Sequence, residues 1–536
     1  MRSKTPSFIL ELPLKVSGKE EKEILSRLES GRQLYNALLG KAKQKVYLVK
    51  QSKAFQTARK IPKLKKNKQI RYEEFQKARD QYGFSEHSLQ EYACGLRHNL
   101  RNNLDIHTVQ KLATRAFRAT EKILFGTAKH VRFKGYNQFN SLESKSNAAG
   151  IRWRNNRIEW NHLSLEPIIK VDDAVIRYGL QHRVKYCRIY RKVIRGRNRF
   201  YVQLVLEGKP FIKEKNRLGE GEVFFDFGPS TLAVVSRNKN NEFNARLVQF
   251  CSELDTKAKE IAGLQRKIDR QRRQANPKNF TGSDGTGKIK KGRLTWKKSK
   301  RQVENEKQLK EIYRVTASHR KSLQGKLINE TLRMGNVFGT EKVSRKWLQK
   351  SYGKSVGIRA PGMYCLGVKR KAESAGGSFH EFPTVTTKLS QTCVCGRQEK
   401  KPLSVRVQDC RCGVYAQRDL FSAYMGLFLE KHETVNETGE KKETCILQTA
   451  EAARLWPGAD KLLQAVWGSS IQSTTGKAVP SSFGKPKACQ SQSRSLASGG
   501  EKIIVKFKVQ DVVPDPIGIR ESLKENKTFP LEPAGF

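Results

Sequence analysis

Apolar and polar positions alternate in three successive textures along the chain. Phe8 to Val16 (FILELPLKV) reads as a strand, after which Ile24, Leu28, Leu34, Leu38 and Leu39 recur at helical spacing from Lys19 to about Lys50. Helical patterning dominates to about Phe125, and YEEFQKARDQY and IHTVQKLATRAFRATEKILF each set one apolar face against a strongly basic one. From Val131 the texture becomes short β segments with turn chemistry. Gly150–Arg154, Asn155-Asn156 and Arg157–Trp160 spell one hairpin; Val184–Ile194, the turn Arg195–Asn198 and Phe200–Leu206 spell another, and together they predict a small basic β-barrel. Gly219 to Gly221 mark a boundary. Beyond it lie an apolar strand Val223–Phe227, a turn at Gly228-Pro229-Ser230 and a second strand Leu232–Ser236. Two long basic helices follow, patterned on Leu254, Ile261, Leu264 and Ile268 and then on Leu309, Ile312, Leu323, Leu327 and Leu332, with a Gly/Lys-rich connection from Asn276 to Lys300. The next strand is Asn336–Glu341. Past Leu429 the chain turns Lys/Glu-rich, then low in complexity from Gly468 to Gly500, which predicts disorder. Within that tail, Leu455-Trp456-Pro457 with Leu462, Leu463, Val466 and Trp467 predicts a short docked helix, and Ile503–Val509 (IIVKFKV) is a segment that could add a strand.

Charge changes the picture most. The 536 residues carry 105 Lys+Arg against 51 Asp+Glu, a formal net charge of +54, which points to a polyanionic partner. Basic residues recur from Lys41 through Lys401 and alternate with aromatics, as in Arg152-Trp153-Arg154 and Tyr186–Arg191, which fits a long nucleic-acid channel better than one solvated patch. A hydrophobic fraction of 37% lets a chain of this length bury several cores, and length predicts three or four domains. No apolar run approaches a membrane span and the start MRSKTPSFILELPLK lacks a signal-peptide pattern, so the expectation is a cytoplasmic, nucleoid-associated protein with no membrane partner. The scattered cysteines Cys94, Cys187, Cys251, Cys365, Cys445 and Cys489 are consistent with a reducing compartment.

Candidate chemistry concentrates between Leu389 and Ala423, LSQTCVCGRQEKKPLSVRVQDCRCGVYAQRDLFSA. Cys393, Cys395, Cys410 and Cys412 form two Cys-x-Cys hooks 14 residues apart, enough for a hairpin that gathers four thiolates around one tetrahedral Zn²⁺; four ordinary buried cysteines are the alternative. Asp419 heads a helix just beyond. Asp226 lies inside the apolar strand Val223–Phe227, where a carboxylate is costly unless neutralised; a metal ion would do so, and a side chain capping the adjacent turn is the alternative. Glu341 ends a later strand in an apolar context, and taken alone reads equally as an exposed strand-end Glu.

Asp226 on a first strand, Glu341 on a later strand after a helical insertion and Asp419 past a zinc knuckle stand in an order that resembles the RuvC-like nuclease of TnpB, the RNA-guided nuclease of bacterial insertion sequences, and of the related type V CRISPR effectors. FDFGPSTLAVVS, LSQTC, AQRD, WPGA and PSSFG look most like TnpB proteins of cyanobacterial insertion sequences, and the resemblance spans nearly the whole chain. It implies a multidomain α+β protein: a wedge β-barrel (its first strand in 1–18, the rest in 129–218), a helical recognition lobe (19–128), and an RNase H-like RuvC α/β domain (219–390) with a helical-hairpin insertion at 252–334. A zinc ribbon (391–415), the last RuvC helix (416–435) and a largely disordered tail (436–536) would complete it. It further implies that Asp226, Glu341 and Asp419 are the catalytic triad holding two Mg²⁺ about 4 Å apart for phosphodiester hydrolysis, that Cys393, Cys395, Cys410 and Cys412 hold one structural Zn²⁺, and that the partners are a guide RNA (omega RNA or CRISPR RNA) and double-stranded target DNA. A monomer is expected. The implied activity is a metal-dependent, RNA-guided endodeoxyribonuclease that reads a short target-adjacent motif; a guide-dependent DNA-binding regulator, a type V CRISPR effector and a strand-joining transposase are the other classes. The chain departs from the family pattern at Phe421, where Asn is usual, and in the tight Cys-x-Cys hooks.

Overall fold

The computed structural model describes residues 5–472 except 63, 65–66, 101, 229, 283, 344–348, 350–352, 354–355, 403 and 436–440. The expected disorder beyond Gln472 and the strand-like Ile503–Val509 therefore fall outside the described residues. The chain forms two compact units that divide at Phe211 and Ile212.

The first unit begins with strand β1 (Ser7–Lys15) and helix α1 (Gly18–Gln51). A reciprocal cap starts α1: the Ser17 hydroxyl accepts from the Glu20 amide at 3.3 Å and the Glu20 carboxylate accepts from the Ser17 amide at 2.7 Å. Its stripe of Ile24, Leu28, Leu34, Leu38 and Leu39 is buried, as the periodicity predicts. Helices α2 (Lys53–Lys60), α3 (Lys68–Gln81), α4 (Glu86–Arg97) and α5 (Ile106–Leu124) follow. Then come β2 (Ser141–Glu143), β3 (Ile151–Arg154), β4 (Arg157–Trp160), β5 (Leu163–Pro167), α6 (Ala174–Leu180), β6 (Val184–Ile194) and β7 (Arg197–Glu207). The strands form one antiparallel sheet in the order β2-β6-β7-β1-β5-β4-β3, and β3 near one end approaches β6 near the other, giving a nearly closed, barrel-like sheet that takes in the first strand of the chain. Both predicted hairpins form. Asn155 and Asn156 have φ of 47° and 56°, and Arg195 and Gly196 have 49° and 75°, the paired positive values of a two-residue hairpin turn. The second turn is thus shorter than the four residues expected, because two left-handed residues suffice to match the strand twist and β7 pairs from Arg197 onward.

The second unit is a layered α/β structure. Strands β8 (Glu222–Phe227), β9 (Thr231–Arg237) and β10 (Phe243–Gln249) are antiparallel neighbours. The hairpin helices α7 (Asp255–Ala275) and α8 (Lys300–Leu332) lead into β11 (Val337–Glu341), then α9 (Pro361–Ser374) and β12 (Ser378–Phe382). The sheet order is β10-β9-β8-β11-β12, with β11 parallel to both β8 and β12. Strand β10, helix α9 and strand β12 had no counterpart in the sequence reading: Phe243–Gln249 (FNARLVQ) and Ser378–Phe382 (SFHEF) are short, polar strands at the two edges of the sheet, where one face and one ladder are enough to hold them. Period-2 alternation divides the central strand between two cores. Val223 and Phe225 pack with Leu332, Phe338, Tyr364 and Val368 on one face; Phe224 packs with Leu420, Tyr424 and Phe428 on the other.

Past the short hairpin of β13 (Val407–Asp409) and β14 (Tyr415–Gln417), helix α10 (Arg418–Gly426) covers that second face. The expected last helix at 416–435 ends early. Leu429–Val435 is strand β15, paired antiparallel with β16 (Lys441–Leu447), because Thr434, Val435 and Thr444 favour extended backbone. The expected largely disordered tail is likewise ordered at its start: β16 is followed by a helix, α11 (Thr449–Gln472), longer than the short one predicted. Ala452, Ala459, Leu463 and Trp467 recur on one face of α11 and are fully or almost fully buried, so tertiary packing carries a helix that contains Pro457.

Candidate active site and metal centre

Parallel pairing of β8 with β11 places Val337 opposite Glu222 and Thr340 opposite Phe225, so Asp226 and Glu341 come next in register at the shared carboxyl ends of two adjacent strands. Carboxyl ends of parallel strands are where α/β sheets open to ligands. Alternation puts Asp226 on the face of Phe224, the face that α10 covers. Gly339, two residues before Glu341, lies against Phe224 and Phe382 on that same face. Asp419 enters from above, in the first turn of α10, and is 4% exposed, whereas Asp226 and Glu341 keep an edge open to solvent. All three carboxylates expected from the sequence are thereby brought within electrostatic reach of one another.

Their surroundings differ. Burial, then the charges of Glu341 and Asp419, push the Asp226 carboxyl well above its ordinary range, against the pull of the Phe227 amide, which donates to Asp226 Oδ1 at 2.7 Å, and of the Arg418 charge. Burial also raises Glu341, which is held by the Thr387 hydroxyl at 2.7 Å and by the Leu389 amide. Asp419 Oδ2 accepts from the Thr231 hydroxyl at 2.5 Å and from Gln417 Nε2 at 3.3 Å, while Gln417 Oε1 caps α10 by accepting from the Leu420 amide at 2.7 Å. A Cβ on Gly228 would lie 2.0 Å from Thr231 Oγ1 and 2.2 Å from Asp419 Oδ2, so only glycine lets the strand turn pass this close to the carboxylate. Thr231 and Gln417 lie within the quoted FDFGPSTLAVVS and AQRD segments but carry no sign there of a positioning role, and Thr387 stands in no motif; a buried Thr opening an apolar strand is too common a pattern to single out.

Among the described residues no Lys, Arg or His forms an ion pair with Asp226, Glu341 or Asp419. Burial and repulsion between Asp226 and its two carboxylate neighbours, only partly offset by the Arg418 charge, are conditions that a hard divalent cation with oxygen ligands would relieve, although among the described residues the ligating side chains that lie closest together are the four cysteines.

The four cysteines converge. Cys393 Sγ lies 3.5 Å from Cys412 Sγ, Cys395 Sγ lies 3.7 Å from Cys410 Sγ, and all four sulfurs are within 4.8 Å of one another. Four sulfurs around Zn²⁺ at ~2.3 Å would sit ~3.8 Å apart, so the cluster fits the ion. The two tight hooks fold alike: the Cys393 amide donates to Arg397 O at 2.9 Å and the Cys410 amide to Val414 O at 3.0 Å, with Gly396 and Gly413 at φ of 80° and 94° closing each turn. Burial pushes the Cys393 thiol up. Burial also acts to raise Cys410, but the Cys412 amide and the neighbouring sulfurs outweigh it and bring Cys410 down to about 7. The second hook leads through β14 straight into α10. Arg418 fastens the joint, donating to Pro402 O at 2.8 Å, Val405 O at 3.0 Å and Ser390 Oγ at 3.3 Å. Phe421, at the position of the expected Asn, is buried and packs edge-on against Trp456 of α11, 5.3 Å between ring centroids.

No protein-family model matches the chain, and no curated protein matches it. Among solved structures it is similar to a Cas12f1–sgRNA–target DNA complex at 11% identity over 78% of this chain and 98% of that one, with a TM-score of 0.39, and to a CRISPR–Cas12f ternary complex at 11% identity over 76% and 81%, with a TM-score of 0.27. Superpositions this loose leave function to be argued from the residues of the site.

Proposed function

We propose that this chain is a metal-dependent, RNA-guided DNA endonuclease of the TnpB kind, with Asp226, Glu341 and Asp419 as its metal-binding acids. One observation carries the reading: a buried carboxylate on a first strand, Asp226, stands within electrostatic reach of two others, Glu341 from an adjacent parallel strand and Asp419 from a helix, at the carboxyl end of a five-stranded sheet. That sheet, three antiparallel strands continued by two parallel ones, is in keeping with an RNase H-like RuvC core. The barrel-like sheet and helices of the first unit are in keeping with a wedge and a recognition lobe, and the net charge of +54 with guide RNA and target DNA as partners. Divalent ions, when bound, supply an activated water and stabilise the departing 3′ oxygen. The side chains do the rest by position: Asp226 and Glu341 offer carboxylate oxygens from the ends of two adjacent strands, and Thr231 and Gln417 orient Asp419 so that one oxygen stays committed to the scaffold. The cysteine knuckle, in this reading, carries one Zn²⁺ and fixes the start of α10.

The test is cleavage of guide-matched plasmid DNA by the protein co-purified with its RNA. Asp226→Ala, Glu341→Ala and Asp419→Ala should each abolish Mg²⁺-dependent cutting while RNA and target binding change little, since a missing metal ligand removes transition-state stabilisation and no backbone contact. Full cutting by any of the three removes that residue from the site. Guide-dependent binding by the wild type without any cutting would favour a DNA-binding regulator, and sequencing the bound RNA separates an insertion-sequence guide from a CRISPR repeat.

A further inference from the structure

The connection between α7 and α8 is not a slack linker. Loops this long without regular structure are uncommon in compact domains and usually functional. Asn276 clasps its two ends, donating to Arg272 O at 2.9 Å and Lys297 O at 2.8 Å and accepting from the Lys297 amide at 2.7 Å. Asn279 donates to Thr295 O at 2.7 Å, Phe280 bridges to Ile289, and Arg273 donates to Gly285 O at 2.9 Å and Gly287 O at 3.1 Å. Phe280 is 1% exposed, and Arg272 lies 4.0 Å over the Trp296 ring.

What this scaffold displays is charge. Between Lys278 and Arg301 stand nine Lys and Arg against Asp284 alone, all nine are exposed, and among the described residues one of them, Lys298, makes an ion pair, with Glu306 at 2.8 Å. Ordering this many like charges costs free energy that the loop's own contacts do not return in any evident way, so the arrangement calls for a polyanion. Phe280 is buried, Trp296 is half-buried with Arg272 over its ring, and Ile289 is the large apolar side chain left exposed, at 42%, so among the described residues the loop offers charge more than open aromatic faces on which unpaired bases could stack. We infer that the tip of this helical hairpin, through Lys288, Lys290, Lys291 and Arg293, is a sequence-independent clamp on the phosphate backbone of double-stranded nucleic acid. The inference rests on the nucleic-acid-binding part of the proposed function and is independent of its cleavage chemistry.

The full chain, in EDTA, is titrated by fluorescence anisotropy with a 20-bp DNA duplex of arbitrary sequence and with a 20-nucleotide single strand, across a range of salt. The variant K288Q/K290Q/K291Q/R293Q should bind the duplex about a thousandfold more weakly at ~0.1 M salt, with a log K against log salt slope smaller by about 3 to 4, on the basis of four phosphate contacts at ~0.9 each. The charge-preserving K288R/K290R/K291R/R293K should keep wild-type affinity and slope. An unchanged slope in the Gln variant, a loss confined to the single strand, or an equal loss in the charge-preserving variant would each overturn the clamp while leaving the proposed function standing. A wild-type protein that binds no duplex at any salt would overturn both.

Discussion

At the scale of single residues, the candidate site is a place where the fold accepts a local cost. Asp226 is raised well above its ordinary range by burial and by two neighbouring carboxylates, so between the unfolded and folded values the native protein holds a proton that the unfolded chain releases. Stability of the metal-free protein is therefore fullest below the unfolded value and falls as pH rises through the folded one, above which the penalty is complete. Asp226→Asn removes it. In EDTA at neutral pH this variant should melt about 2–4 °C above wild type, the response of a domain of this size to ~1 kcal/mol. Added Mg²⁺ should raise the wild-type melting temperature and leave that of the variant nearly unmoved. An Asp226→Asn protein that melts at or below wild type in EDTA would show that the carboxylate is compensated in the native state. Gly228 follows the same logic in steric form, since the space a side chain would need is taken by Thr231 and Asp419.

At the scale of elements, the knuckle, α10 and α11 act as one support. Cys412 and Asp419 are separated by two residues, then β14, then Arg418; Tyr415 of β14 stacks on Trp467 of α11 at 5.8 Å, and Gln464 of α11 donates to Tyr415 O. Structural zinc contributes folding free energy directly, so Cys410→Ser should release close to one zinc per chain, by elemental analysis, and lower cleavage through the displaced start of α10. Zinc content of the native protein near zero would end this account. Trp467→Ala, which empties a fully buried site, should cost ~3–5 kcal/mol in chemical denaturation and loosen the knuckle as well; a cost under ~1 kcal/mol would mean that α11 is not part of the core. The legibility of these elements in the sequence divides by how local their causes are. Helix α1, the β3–β4 and β6–β7 hairpins and the hairpin helices α7 and α8 were readable because capping, periodicity and turn residues are local. Asp226 and the four cysteines were readable as residues, since a carboxylate in an apolar strand and paired Cys-x-Cys are rare, whereas Glu341 and Asp419 stood out only through the order of motifs that resembles a known nuclease family. The edge strands β10 and β12, the change from helix to the β15–β16 hairpin after Gly426, and the hydroxyls of Thr231 and Thr387 were not, because each depends on a neighbour far away in sequence.

At the scale of the whole molecule the governing fact is the charge of +54, which no pairing within the chain offsets. Among the described residues no helix is long and apolar enough to cross a membrane. Like charges at this density repel in the compact state, and a polyanion that binds only the folded chain relieves that repulsion and stabilises by mass action, ~4 kcal/mol at a thousandfold excess over Kd. Cation–aromatic pairs such as Lys111 over Tyr186 at 4.9 Å and Lys43 over Phe133 at 5.2 Å show how part of this charge is arranged within the first unit, next to rings that a nucleic acid can share. The RNA-free protein should accordingly melt several degrees below its RNA complex, bind DNA with little sequence preference and cut nothing selectively, whereas the RNA-bound form cuts only guide-matched targets. RNA affinity should fall steeply with salt, and charge reversals spread over the Lys and Arg of Tyr72–Phe125 and Val131–Arg199 should flatten that slope. Reversals that leave the affinity and its slope unchanged would remove those segments from the RNA-binding surface, and sequence-specific cutting by RNA-free protein would overturn guidance by RNA altogether.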